Sequence, residues 1–214
     1  MSVHCPNCGA PAPFRGDAVS LVCEFCDSTI VRTGMDVSLI GKVSAILDQG
    51  SPILLNSRGK FAGTPFELVG RLQVRYARGT WSEWYVQFAD GVSGWLSDAQ
   101  GSYAMVTPRD PSLLSQGVPG FGELQPGVQV YFGGTPAITV DVRGATYQGA
   151  EGILPFRAEP GYTYYGADLR GFAGEFFTLD YGHDPNGAPV IYGGKSVTLK
   201  EVELQPLRRF EGWQ

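Results

Sequence analysis

The four cysteines of the chain, all within the first 26 residues, constrain its N-terminal part more than any other feature. They form two C-x-x-C pairs, Cys5 with Cys8 and Cys23 with Cys26, separated by 14 residues. Two such pairs on a short hairpin bring four thiolates together, which is the ligand set of a tetrahedral zinc site. Because four protein ligands close the coordination sphere, we expect a structural zinc ion in a zinc ribbon over residues 1–33. Two disulfides, a rubredoxin-type iron site and four free thiols are the alternatives that the spacing leaves open.

The composition is typical of a folded protein outside the membrane. Hydrophobic residues make up 43% of the 214 residues, and the 30 glycines and 15 prolines indicate many turns. The formal net charge of −5 disfavours non-specific attraction to the phosphates of nucleic acids. Apolar runs are much shorter than the roughly 20 residues of a membrane-spanning helix, and the N-terminus does not resemble a signal peptide. We therefore expect a soluble, cytoplasmic protein with no transmembrane segment.

Beyond the ribbon, period-two alternation and closely spaced turn residues predict an all-β fold. Strands are predicted over residues 66–76, 84–88, 129–132, 137–142, 144–154, 175–181, 189–192 and 196–199, and Asp90-Gly91 predicts a type I′ hairpin. Apolar residues at three- and four-residue steps over 36–47 predict one short helix, which Gly41 weakens. A segment rich in Pro, Gly and Ser over 108–127 divides the rest. We predict two small antiparallel β-barrel or β-sandwich modules, over residues 34–115 and 116–214.

The two predicted modules share a sequence pattern. Glu83-Trp84-Tyr85-Val86, with Asp90-Gly91 after it, is similar to Glu175-Phe176-Phe177-Thr178, with Asn186-Gly187 after it. A duplication would explain the match, and so would chance, because β-proteins rich in glycine and aromatic residues align easily with one another.

Several segments together carry a resemblance to a known family. They are the C-P-N-C-G ribbon, Ser51–Gly59, Phe66–Arg71, Trp81–Tyr85, Gly94–Gly101, Ala150–Phe156, Asp168–Gly171 and Leu179–Tyr181. With them the chain resembles a bacterial, zinc-ribbon-containing family, domain-of-unknown-function family 4178. The resemblance implies bacterial origin, a cytoplasmic protein, and genomic association with envelope-stress coat proteins of the phage-shock type or with polyamine-synthesis enzymes. It implies no activity.

Residues for catalysis are few. The chain has two histidines, His4 and His183, and its cysteines are assigned to the metal. His183 and Asp184 lie in a segment whose Gly, Pro and Asn-Gly content predicts a hairpin loop. His183 is open to two interpretations there: a catalytic base beside Asp184, or a solvated turn residue. Gly133-Gly134 and Gly193-Gly194 lack the Lys-Ser/Thr and helix of a phosphate-binding loop. We predict no catalytic residues.

The aromatic residues near Asp90-Gly91 form the candidate binding site. Trp81, Glu83 and Trp95 are close in the sequence, and alternation predicts that Trp84 and Tyr85 face opposite sides of a strand. These rings could instead be barrel core, with Glu83 paired to Arg71 or Arg75. If one face is open, carboxylates beside tryptophans suit a cationic small molecule such as a polyamine, or a lysine or arginine of a partner protein.

These observations favour a non-catalytic, zinc-binding adaptor or regulatory protein that acts through a protein partner, in an envelope-stress or polyamine-linked system by the resemblance above. An enzyme or enzyme-accessory domain using the acidic residues Asp168, Asp180 and Asp184 near His183 is the alternative. Nucleic-acid binding by the ribbon is the third hypothesis.

Overall fold

The computed structural model describes residues 2–15, 18–33, 36–42, 46–47, 50–114 and 117–210. Within these ranges the chain forms strands and two short 3-10 helices, Pro111–Leu113 and Phe121–Glu123. The strands are β1 (Ser2–His4), β2 (Pro11–Pro13), β3 (Ser20–Val22), β4 (Ser28–Thr33), β5 (Asp36–Lys42), β6 (Ile53–Phe61), β7 (Thr64–Tyr76), β8 (Gly79–Phe88), β9 (Ser93–Ala99), β10 (Ser102–Arg109), β11 (Gln129–Phe132), β12 (Thr135–Leu154), β13 (Thr163–Gly171), β14 (Glu175–Gly182), β15 (Val190–Val197) and β16 (Gln205–Leu207). The all-β prediction is confirmed.

Eight antiparallel strands close into one ring, which we call the barrel. Around it they follow the order β7, β8, β9, β10, β15, β14, β13 and β12, and pairing of β12 with β7 completes the circle. The 20-residue strand β12 makes this possible because it pairs with β13 along its first part and with β7 after Thr146. A register shift between Tyr147 and Gly149 accompanies the change of partner, as β-bulges do where a strand bends.

The two predicted modules contribute four strands each to this barrel. They are hydrogen-bonded to each other twice, through β10 with β15 and through β7 with β12. Trp84 lies on the second strand of its half and Phe176 on the third of the other, so the two matched segments do not occupy equivalent strand positions. This mismatch counts against the duplication, whereas the domain boundaries stay a prediction. The sheet is continuous across both halves.

The outer face of the barrel carries two apolar clusters. One, around Trp84, Leu96 and Met105, is covered by β6, by Leu207 of β16 and by the segment with Val202 and Leu204. The other lies on the outside of β12–β15 and is covered by β11 and the residues near the 3-10 helices. Burial of these side chains is the main source of stability for such a fold.

The N-terminal ribbon, residues 2–33 as far as they are described, packs against one end of the barrel. Its strand β3 pairs with the end of β12, Leu21 opposite Ile153 and Ser20 opposite Leu154. Apolar residues of both parts, among them Phe14 and Ile30 of the ribbon, form one common cluster with the barrel. The ribbon is therefore integrated into the barrel and is not a separate appendage.

The helix predicted over residues 36–47 is wrong. Asp36–Lys42 is strand β5, which pairs antiparallel with β4, Val37 opposite Arg32 and Ser38 opposite Val31. The segment forms a strand in place of a helix because it can pair with the edge of β4, and because Gly41 lowers the stability of a helix here. Val43, part of the predicted period, lies outside the described residues.

The Asp90-Gly91 hairpin between β8 and β9 is present, but its turn is not type I′. Gly91 has φ +88°, whereas Asp90 is not among the residues with positive φ, which type I′ requires at both central positions. The Asp90 carboxylate accepts the Val92 amide at 3.0 Å and stabilises the alternative turn.

Candidate metal centre and barrel cavity

The four predicted metal ligands converge at one point. The sulfurs of Cys5, Cys8, Cys23 and Cys26 all lie within 4.8 Å of one another. The Cys5–Cys26 and Cys8–Cys23 sulfur pairs are each 3.7 Å apart, and a tetrahedron with metal–sulfur bonds of about 2.3 Å has edges of about 3.8 Å. The donor set and its spacing therefore fit one tetrahedral metal ion.

The two C-x-x-C turns have the same backbone geometry. In the first, the Cys5 amide donates to Ala10 and the Gly9 amide to Cys5; in the second, the Cys23 amide donates to Ser28 and the Asp27 amide to Cys23. Gly9 and Asp27 both have positive φ, +77° and +56°. Glycine and aspartate adopt this left-handed conformation more readily than most residues, so the local sequence favours both turns.

The barrel encloses a cavity of about 360 Å³, which we call the aromatic chamber. Side chains of all eight barrel strands reach it because cross-strand partners lie on the same face of a sheet. One row runs from Asp168 on β13 to Thr178 on β14 and Tyr192 on β15, and another joins Leu72 on β7 to Glu83 on β8. All of these line the chamber. Its volume is within the range of small-molecule sites.

A second chamber of about 590 Å³, the hairpin chamber, occupies the other end of the barrel. The two chambers share Glu83, Ser97, Arg143, Asp168 and Phe176, so these residues lie between them. The exposed residues Arg78, Gln100 and Arg170 line the hairpin chamber, which therefore reaches the surface near the β7–β8 and β9–β10 hairpins.

Arg143 lies at the centre of the charged groups inside the barrel. Its Nη1 atom is 2.6 Å from Asp141 Oδ2 and 2.7 Å from Asp168 Oδ2. The guanidinium also lies over the Trp81 ring, 4.7 Å from its centre. Burial opposes its charge, but Asp168 and the other neighbours outweigh burial and raise the pKa of Arg143. Arg143 is therefore a permanent cation that neutralises part of the acidic interior.

Glu83 and Asp180 are the remaining acidic groups of the aromatic chamber. Glu83 Oε1 accepts the Trp81 indole N–H at 2.6 Å. Burial raises the pKa of Glu83 to about 7, against the opposing effect of that hydrogen bond. Burial also raises the pKa of Asp180, which accepts the Gly182 amide at 2.9 Å. Among the described residues neither carboxyl group is in a salt bridge.

Aromatic rings form much of the chamber wall. Tyr147 has its ring centre 5.6 Å from Phe156, 5.0 Å from Tyr162 and 5.5 Å from Tyr164. Trp95 continues the series, 5.9 Å from Phe156 and 5.1 Å from Tyr85. Burial raises the pKa of Tyr147 and of Tyr164, so both hydroxyls stay neutral. The wall is thus a set of neutral rings around buried carboxyl groups.

The predicted binding residues all face the inside of the barrel. Glu83 and Trp95 line the aromatic chamber, and Trp81 lines the hairpin chamber. Trp84 belongs to the outer cluster and Tyr85 packs on Trp95, so the two lie on opposite faces of β8, as alternation predicted. The alternative interpretation is right that Trp81, Trp84 and Tyr85 are buried, but among the described residues Glu83 forms no salt bridge with Arg71 or Arg75. Arg71 instead pairs with Glu151 at 3.5 Å and donates to Ser82 at 2.9 Å.

The acidic residues of the alternative, enzymatic hypothesis are divided by the fold. Asp168 and Asp180 line the chamber, whereas His183 and Asp184 are exposed on the loop after β14. Asp184 Oδ1 accepts the Asn186 amide at 2.9 Å, which is a turn-stabilising contact. His183 Nδ1 is 3.5 Å from the Tyr162 hydroxyl, at the rim of the chamber.

The sequence interpretation missed Arg143, Tyr147 and Phe156. A signal was present on the neighbouring strand, where Tyr162, Tyr164, Gly166 and Asp168 alternate at period two and all line the chamber. Such alternation is ordinary for a strand with one buried polar face. It becomes informative only when the ring closure shows that this face points inward.

The described part of the chain contains no helix with the length and apolar character that crossing a membrane requires. No curated protein and no solved structure matches the sequence. The profile of a family described as a domain of unknown function, DUF4178, matches residues 55–198. This span is more than half of the 214 residues and contains all eight barrel strands, while the cysteine cluster precedes it. The chain, whose barrel lies wholly within the matched region, therefore belongs to the DUF4178 family.

Proposed function

We propose that this protein is a non-catalytic binding protein whose barrel holds an organic cation in the aromatic chamber, and whose ribbon holds a structural zinc ion. One observation carries the first part: among the described residues Glu83 and Asp180 form no salt bridge, and both lie among aromatic rings in a cavity that every barrel strand lines. Rings attract cations through their faces, and carboxylates add direct charge attraction. A cationic ligand would interact favourably with the ring faces and with the carboxylates at the same time.

The balance of charge supports a cation over an anion. Four carboxyl groups, of Asp141, Asp168, Asp180 and Glu83, line the interior together with the one guanidinium of Arg143. Arg143 is already bonded to two of them. The exposed Arg78, Arg157 and Arg170 lie at the chamber ends, where water screens them. An anion in the aromatic chamber would meet Glu83 and Asp180 with no free counter-charge beside them.

Calorimetric titration with four probes tests the cation site. Benzyltrimethylammonium and spermidine are the cations, benzyl alcohol the neutral analogue and benzoate the anion. We expect a cation to bind at least tenfold more tightly than benzyl alcohol, and benzoate not to bind. Asp180→Asn should weaken cation binding about tenfold, which is the loss of one close charge interaction. Asp184→Asn, the same change on the exposed loop, is the matched control and should bind like the wild type. Tighter binding of benzoate, or binding of none of the four at millimolar concentration, would overturn the proposal.

The metal assignment has its own experiment. The freshly purified protein should contain about one zinc ion per chain. Cys23→Ser should abolish the metal and unfold the ribbon, because small metal-bound segments take much of their folding free energy from the ion. Iron in place of zinc, or two disulfides by mass spectrometry, would contradict it.

Acid–base catalysis in the same chamber is the second candidate function. It is favoured by the position of Glu83 in the cavity wall, where burial raises the pKa of its carboxyl to about 7, since a perturbed carboxyl in a cavity is typical of general acids and bases. Turnover of a bound amine that Glu83→Gln abolishes, with binding retained, would establish it in place of the non-catalytic function.

The protein partner of the sequence interpretation stays a prediction. Trp81, Glu83 and Trp95 face the barrel interior, so a partner that docks on the outer surface would use other residues.

A further inference from the structure

The segment Pro155–Phe156–Arg157, which follows β12, lines the aromatic chamber, and we call it the end wall. Phe156 supplies the ring of this segment, placed between Tyr147 and Trp95. The position of its ring therefore sets the space available to a ligand at this end of the barrel.

The ribbon holds the end wall from the outside. Ser20 of β3, which is 2% exposed, donates its hydroxyl to the Phe156 carbonyl at 2.6 Å. One residue earlier, the Val19 amide donates to the Leu154 carbonyl at 3.1 Å. Both bonds lie beside the β3–β12 pairing, so the ribbon fixes the backbone on each side of Pro155.

The metal-binding turn is directly continuous with these contacts. Strands β3 and β4 pair from Ser20 opposite Val31 to Val22 opposite Thr29, and the Cys23 turn connects them. The Arg32 amide donates to the Val19 carbonyl at 2.9 Å, which holds the other end of the pair. Ser20 and the Cys23 turn therefore belong to one hairpin, with only Leu21 and Val22 between them. We expect the backbone position of Ser20 to depend on the conformation of this turn.

The far side of the same loop is attached to the barrel. The Tyr147 amide donates to the Tyr162 carbonyl and the Gly161 amide to the Tyr147 carbonyl, both at 2.9 Å. The loop over residues 155–162 is therefore held at one end by the ribbon and at the other by the chamber residue Tyr147.

We propose that the ribbon is a structural part of the ligand site, and that Ser20 is a positioning residue that holds Phe156 in the chamber wall. The buried hydroxyl of Ser20 donates to the carbonyl of Phe156, and the ring of Phe156 lines the chamber at this end. In this way the ribbon positions the aromatic wall against which the apolar part of an organic cation would pack, although none of the ribbon residues that the structure describes lines the chamber. The ligand part of this inference rests on the proposed cation site; the part that concerns Ser20 and the end wall does not.

Hydrogen exchange on the intact, metal-loaded protein tests the positioning role. In Ser20→Ala, amides of residues 156–162 should exchange about five- to tenfold faster, the effect of one lost hydrogen bond. Amides of β9, on another side of the barrel, should be unchanged. Ser38→Ala, on the exposed position of β5, is the matched control and should exchange like the wild type throughout. Unchanged exchange over 156–162 in Ser20→Ala would overturn the inference.

Measurements of ligand binding and of metal content distinguish the positioning role of Ser20 from the proposed cation site and from the proposed zinc site. Ser20→Ala should retain one zinc ion and bind benzyltrimethylammonium about five- to tenfold more weakly, with a faster dissociation rate. If the wild type binds no cation but exchange over 156–162 still responds to Ser20→Ala, the cation site is wrong and the positioning role stands. If Ser20→Ala loses zinc, Ser20→Thr, which keeps the hydroxyl donor, should restore both zinc and slow exchange. Failure to restore slow exchange while zinc is restored would contradict the role of this hydrogen bond.

Discussion

The two faces of the barrel differ in what they are made of. The outer face carries two large apolar clusters, in which Leu96, Leu169 and Leu179 are fully buried under β6, β11 and the C-terminal segment. The inner face alternates with it along the same strands and carries carboxyl groups, Arg143 and aromatic rings around a cavity. In most small barrels side chains fill the interior. Here an unfilled cavity lies inside the barrel, although Leu72 and Tyr85 also pack on the inner face in the cluster shared with the ribbon. The two outer clusters are assigned to stability and the cavity to ligand binding.

The largest expected effect comes from removing an outer side chain. Leu179→Ala should lower the free energy of unfolding by about 2–5 kcal/mol, because it deletes buried methyl groups and leaves a cavity. Thr178→Ala, the adjacent residue on β14, faces inward and should cost about 1 kcal/mol through loss of its 2.8 Å bond to Asp168. Urea unfolding measures both. Equal costs for the two variants would contradict the assignment of stability to the outer face.

An intermediate effect is expected at the charged centre of the inner face. Arg143→Met should destabilise the fold by about 1–3 kcal/mol, because Asp141 and Asp168 would stay in the interior without their cation. Adding Asp168→Asn should recover part of this loss, since one of the two uncompensated charges is then removed. If the double variant is as unstable as the sum of the single variants, the three groups do not form one network.

Part of this arrangement could be predicted from the sequence, and there is a physical reason why the rest could not. The convergence of the four cysteines was predictable because the local C-x-x-C turns bring their sulfurs together. The inward direction of Glu83 and Trp95 was not, because alternation separates two faces without saying which one the ring encloses. Phe156 and Ser20 are 136 residues apart, and only the pairing of β3 with β12 brings them together. Strand β5 was assigned to the wrong class for a different reason: apolar residues at three- and four-residue steps over a short segment did not reveal its hairpin pairing with the preceding strand β4.

The pH dependence of one carboxyl group should have an effect no larger than that expected at Arg143. The pKa of Glu83 is about 7 in the fold and 4.5 ordinarily. Below pH 4.5 it is protonated in both states, whereas between pH 4.5 and 7 the unfolded chain has lost the proton and the fold keeps it. The free energy of unfolding therefore falls as pH rises through this window. Glu83→Gln should remove that slope and stabilise the protein by about 1–3 kcal/mol at pH 8, after allowance for water in the cavity.

The same group makes cation binding depend on pH. The affinity of the wild type for benzyltrimethylammonium should rise between pH 6 and pH 8 as Glu83 ionises, and in Glu83→Gln this rise should be absent. Binding that weakens over the same interval would contradict a negatively charged chamber.

Methyl NMR of the zinc-loaded protein during titration with benzyltrimethylammonium tests the central claim most directly, because it compares the two faces in one measurement. Leu72 and Val106 line the aromatic chamber, whereas Leu96, Leu169 and Leu179 belong to the outer clusters. The aromatic ring of the probe shifts nearby methyl resonances. We predict saturable shifts of Leu72 and Val106, with the three outer leucines nearly unchanged. Shifts confined to the outer leucines, or no saturable shift of Leu72 and Val106, would contradict ligand binding inside the barrel.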